Sequence, residues 1–77
     1  MSPRPRPARP PEPLWSIRKD GKQTDCTLVG QGEDGWDVVL SRNGVEFYGR
    51  RFVMRADAVA EAGELLRELR ADGWKRV

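Results

Sequence analysis

Apolar and polar residues alternate one-for-one along most of the chain, and the spacing lengthens to a helical one near its end. In Leu14–Lys19, Trp15 and Ile17 fall on one side and Ser16 and Arg18 on the other. Thr24–Val29 sets Cys26 and Leu28 against Asp25, Thr27 and Val29, and Trp36–Arg42 sets Trp36, Val38 and Leu40 against Asp37, Val39 and Ser41. Alternation of this kind is the mark of a strand with one buried face. The stretches between them read as turns. Asp20-Gly21-Lys22-Gln23 and Asn43-Gly44 favour positive φ, and Gly30–Gly35 is a glycine-rich loop. A further strand runs from Val45 to about Phe52.

The Asn43-Gly44 turn predicts a register. A two-residue loop sets Arg42 opposite Val45, Ser41 opposite Glu46, Leu40 opposite Phe47, Val39 opposite Tyr48 and Asp37 opposite Arg50. Leu40 and Phe47 then share the core face, and Val39 and Tyr48 share the other. Over Arg55–Asp72 the pattern changes: Val59, Ala62, Leu66 and Leu69 recur at helical spacing, flanked by Ala58 and Leu65. Acids lead this segment and Arg67 and Arg70 end it, which suits the helix dipole. Gly73 fits the C′ position and Trp74 the C″ position of a Schellman ending. Gly63 costs roughly 1 kcal/mol in a helix interior unless a close approach requires it.

The predicted fold is α+β: a four-stranded antiparallel meander covered on one face by a single C-terminal helix. A three-stranded version, with the first segment irregular, is the alternative. The predicted core is Trp15, Ile17, Cys26, Leu28, Trp36, Val38, Leu40 and Phe47, under Val59, Ala62, Leu65, Leu66 and Leu69.

Composition redistributes the charge. All six prolines lie within the first 13 residues, interleaved with Arg4, Arg6 and Arg9, and this stretch reads as a disordered Pro/Arg-rich tail. The folded domain is then 14–77. The chain carries a net charge of +2. The tail holds three arginines and Glu12, so the excess belongs to it and the domain is formally neutral. Arg4-x-x-Pro7-x-x-Pro10 has the spacing of polyproline ligands for Src-homology-3-type grooves, and a solubilising electrostatic arm is the plainer reading.

Chemistry is scarce. With no histidine and one cysteine, Ser-His and Cys-His pairs, imidazole acid–base catalysis, an intrachain disulfide and cysteine-cluster metal sites are excluded. Cys26 falls on the core face, as a small buried hydrophobe would. Gly30–Gly35 joins two strands rather than opening a helix and carries Glu33 and Asp34, so it is no phosphate loop. Glu33, Asp34 and Asp37 match no calcium-loop spacing. No apolar run reaches the length of a membrane span, and no apolar segment follows the basic start. The expectation is a cytoplasmic, non-enzymatic protein without cofactor or metal.

Function then rests on surfaces. The open sheet face would present Val29, Val39 and Tyr48 as an apolar spine beside Arg50, a contact surface for a protein partner or a second copy of the chain. Nucleic acid is the alternative partner, carried by Arg4, Arg6, Arg9, Arg50, Arg51 and Arg55. The element order of Leu14–Trp74 resembles the Whirly and transcriptional-coactivator class of single-stranded-DNA-binding domains. That resemblance implies dimers paired through helices and strands bound across sheets; the acids Asp25, Asp37 and Glu46 on the open face depart from it. Tyr48-Gly49-Arg50 with Phe52, Ala58, Ala62 and Gly73-Trp74 is similar to WGR-type domains, without the Trp-Gly-Arg itself. The excess of arginine over lysine resembles small proteins of GC-rich bacteria.

Overall fold

The structure, a computed structural model, describes residues 10–77. Arg4, Arg6 and Arg9 lie outside the described residues. Four strands, β1 (Glu12–Lys19), β2 (Lys22–Gly30), β3 (Trp36–Arg42) and β4 (Val45–Phe52), precede helix α1 (Arg55–Ala71) and a two-residue strand β5 (Lys75–Arg76). All pairings are antiparallel, in the order β4-β3-β2-β1-β5. The fold is α+β, with the helix over one face of the sheet.

Two tight turns set this meander. Asp20 and Gly21 have φ of 52° and 75°, and Asn43 and Gly44 have 50° and 85°. Positive φ at both central residues matches the right-handed twist of the flanking strands. The turns are also tied to each other: the Gln23 amide donates to Asn43 Oδ1 at 3.0 Å, and the Asn43 amide donates to the Gln23 carbonyl at 2.9 Å. The predicted Gly30–Gly35 loop shortens to one 3-10 turn, Gly32–Asp34, because β2 continues to Gly30. The first segment is a true strand, and it starts at Glu12, two residues before the Pro13/Leu14 boundary read from composition.

Trp15, Ile17, Cys26, Leu28, Val38 and Leu40 form the buried side of the sheet, as the alternation predicts, and buried Thr24 joins them. Against them α1 buries Ala58 and Ala62, with Leu65, Leu66 and Leu69 half-covered. Small side chains at the contact let the helix backbone approach the sheet. The Trp15 indole N–H uses that approach and donates to the Ala62 carbonyl at 3.0 Å. Val59, predicted to be core, is 38% exposed; one helical position earlier, Ala58 takes its place. Gly63 does not mark a close approach, since a Cβ there would meet open space.

The helix ends as predicted. Gly73 has φ 99°, its amide donates to the Arg70 carbonyl at 3.1 Å, and the Trp74 amide donates to the Leu69 carbonyl at 3.1 Å. This is the Schellman bond pair, and it delivers Trp74 into the core. The chain beyond that turn forms β5, an element too short for the alternation to predict. The Val77 amide continues the pairing to the Ser16 carbonyl at 3.0 Å.

Candidate functional site

Strand β4 departs from the predicted register. Arg42 and Ser41 face Val45 and Glu46 as expected, but a bulge follows. Phe47 is the extra residue, and everything beyond it moves one rung. Leu40 faces Tyr48, Val39 faces Gly49, Val38 faces Arg50, Asp37 faces Arg51 and Trp36 faces Phe52. The reason lies in what each register buries. The regular register would bury Phe47 and place both Tyr48 and Phe52 on the open face. With the bulge, Tyr48 and Phe52 both pack against the core and only Phe47 is left half in solvent.

The predicted interaction surface is therefore divided. Val29 and Val39 do lie on the open face, diagonal to each other across β2 and β3. Tyr48 and Arg50 do not; they point to the helix side, where both meet Glu61. The Tyr48 hydroxyl donates to Glu61 Oε2 at 2.7 Å, and Arg50 Nη1 donates to the same oxygen at 3.1 Å. The Tyr48 hydroxyl, with Arg50 beside it, holds the Glu61 carboxyl below its ordinary range. Bonding to that carboxylate raises the tyrosine in turn. The cluster fastens β4 to α1.

Asp37, predicted to meet Arg50, instead takes Arg51 in a two-point pair, Nε–Oδ1 at 2.8 Å and Nη2–Oδ2 at 3.2 Å. That bonding, helped by Gln31, lowers the Asp37 carboxyl. The remaining open face is polar and internally bonded. Ser16 Oγ and Gln23 Nε2 donate to Asp25 Oδ1 at 2.5 and 2.9 Å, which lowers Asp25, and Arg18 Nε donates to Gln23 Oε1 at 3.1 Å. No apolar spine crosses it.

Arg55, the third described arginine of the nucleic-acid alternative, pairs with Glu12 Oε2 at 2.9 Å. The two line an open cleft of about 480 Å³ with Pro10, Pro11, Pro13, Leu28 and Trp36. Among the described residues, this ion pair is the cleft's whole charged lining. Cys26 is fully buried, and burial pushes its thiol up to about 11, the opposite of what a nucleophile needs.

Exposed apolar side chains gather instead along β4 and its exit. Val45 and Phe47 flank the hairpin tip, Phe47 half in solvent, and Val53 and Met54 follow the strand, Val53 at 86% exposure. Sequence alternation missed this set because it assumed an unbroken strand. One signal was present: Tyr48 and Phe52 share a parity that Phe47 does not. No known protein family, no curated protein and no solved structure matches this chain.

Proposed function

We propose that this chain is a small, non-enzymatic protein-interaction module that assembles with a second copy of itself through the outer edge of β4. The carrying observation is an eight-residue outer strand with Val45 and Phe47 exposed on it and Val53 and Met54 just beyond. An outer strand presents backbone donors and acceptors that another strand can take up, and natural sheets usually guard such edges with lysine or proline. Strand β4 contains neither, and its two arginines are held by Glu61 and Asp37. The bulge protects only the first half, leaving Tyr48–Phe52 regular. The opposite edge is treated differently: β5, with Lys75 and Arg76, pairs with Ile17 and Arg18 near the end of β1, and Pro13 stands near its start. A second copy is the simplest occupant, because a domain of this size has a small core and gains stability by association.

The nucleic-acid alternative draws less support from the arginines first assigned to it, since Arg50, Arg51 and Arg55 each have a carboxylate partner. Sedimentation equilibrium tests the assembly reading. The full chain is expected to approach twice its monomer mass as concentration rises, and Val45→Glu/Phe47→Glu to remain monomeric. A wild-type chain that stays monomeric throughout, or a double variant that still dimerises, overturns it.

A further inference from the structure

We propose that the corner of the sheet where β5, the end of β1 and the Asp20-Gly21 turn meet binds single-stranded nucleic acid through its phosphates. None of the cations involved belongs to the arginine set assigned from the sequence, and the inference does not depend on assembly through β4, which lies at the other edge.

The register is the first observation. Arg18 stands directly opposite Lys75 on the open face, and Lys19 stands directly opposite Lys22 on the helix face. Like charges in directly opposed positions destabilise a sheet. Two such pairs in adjacent rungs of one corner form a local excess that the fold tolerates rather than uses. Arg76, opposite Ile17, and Arg42, opposite Thr24, add to it.

The second observation is the distribution of partners. Among the described residues, Lys19 alone of these six cations has a carboxylate within ion-pair distance, Asp72 at 3.4 Å. At the far side of the sheet the reverse holds, with Arg50, Arg51 and Arg55 all paired. A nearly neutral domain is thus polarised, its uncompensated cations drawn to one corner. The acids there are Asp20 in the turn and Asp72 at the helix end. Asp25, two rungs inward on the open face, and Glu46, opposite Ser41, keep phosphates off the centre of that face. The favourable path runs along the edge, over Lys75 and Arg18 and round the turn to Lys22 and Arg42.

Aromatic side chains complete the corner. The Arg42 guanidinium lies 4.7 Å from the Phe47 ring and 4.9 Å from the Trp74 ring. This stack fixes Arg42 at the end of β3, within reach of the other cations. The cations lie on four strands and on both faces, without an enclosing cavity, which suits a chain-like anion rather than a discrete one. A path that turns round a sheet corner suits a flexible single strand; duplex DNA is stiff over about 150 base pairs.

Fluorescence anisotropy of a labelled oligothymidine, titrated with the full chain at several salt concentrations, tests the proposal. Binding should weaken linearly in log–log form with salt. Arg18→Gln/Lys22→Gln/Lys75→Gln/Arg76→Gln should flatten that slope by up to about 2.8, at roughly 0.7 for each phosphate no longer neutralised. Arg50→Gln/Arg51→Gln should leave the slope unchanged. Circular dichroism should show the corner variant folded, with an unfolding midpoint no lower than wild type, since it removes both like-charge pairs. No binding by wild type at low salt overturns the proposal. So does binding abolished by Arg4→Gln/Arg6→Gln/Arg9→Gln but retained in the corner variant, because the N-terminal arginines would then carry it. Unlabelled duplex competing as well as single strand overturns the assignment to single strands.

Discussion

Exchanging Gly35 for alanine should nearly unfold the domain, whereas the same exchange at Gly32, three residues earlier, should be mild. Both glycines have positive φ, 99° at Gly35 and 60° at Gly32, so each exchange incurs a backbone cost of roughly 1–2 kcal/mol. Their surroundings differ. A Cβ at Gly32 would meet open space, but one at Gly35 would sit 2.2 Å from the Phe52 carbonyl oxygen and 3.2 Å from its carbon. These are backbone atoms, so no side chain can swing aside. Relief requires moving the end of β4 by close to an ångström, just where Phe52 pairs with Trp36 and the chain turns into α1. Loss of that pairing and of part of the aromatic packing adds about 2–3 kcal/mol, by analogy with other disruptions of packed cores. A domain this small has about 3–5 kcal/mol of stability in total. Urea unfolding followed by tryptophan fluorescence should place Gly32→Ala slightly below wild type and leave Gly35→Ala without a folded baseline. Equal midpoints for the two variants would refute the account of how β3 meets the start of the helix.

Other outcomes follow from the same geometry. Tyr48→Phe should cost about 1 kcal/mol by removing the hydroxyl that Glu61 accepts, and Tyr48→Glu should cost more by setting a carboxylate against Glu61; a harmless Tyr48→Glu in urea unfolding would return this side chain to the open face. Asp25, Asp37 and Glu61 are lowered in the folded state, so their contribution is complete above the unfolded values of 3.8 for aspartate and 4.5 for glutamate and is lost as pH falls through the lower folded values. The melting temperature should therefore hold down to about pH 5 and fall below it, with a shallower fall in Glu61→Gln. Cys26 should resist a thiol-specific chromogenic reagent until the chain unfolds, and rapid labelling under native conditions would contradict its burial.

Most of the architecture is legible in the sequence because it is set by local rules. Alternation gives β1 to β3, two paired positive-φ turns give the meander, and Gly73-Trp74 gives the helix ending. Each of these depends on neighbours within a few residues. The helix face was harder to read. Val59 and Ala58 sit on adjacent positions of the same stripe, and hydrophobicity favours valine. The contact favours alanine, because Trp15 reaches the Ala62 backbone only if the helix lies close to the sheet. Closeness of approach is a property of the packed pair, which neither segment reveals alone.

The candidate surface was misplaced for a more specific reason. A strand's face assignment is a parity, and one inserted residue inverts every assignment after it. The bulge at Phe47 thus exchanged Tyr48 and Arg50 with Gly49 and Arg51 in a single step, removing the spine and moving exposed apolar surface to the hairpin tip. Net charge misled in a parallel way. A domain that sums to zero can still be polarised, because the sum ignores which cations have partners. Here the arginines after the bulge reach Glu61 and Asp37, and the cations around β5 face one another. Register therefore decides both which side chains are buried and where charge is left uncompensated, and strand β5, too short to be seen in the pattern, supplies half of one like-charge pair at the basic corner.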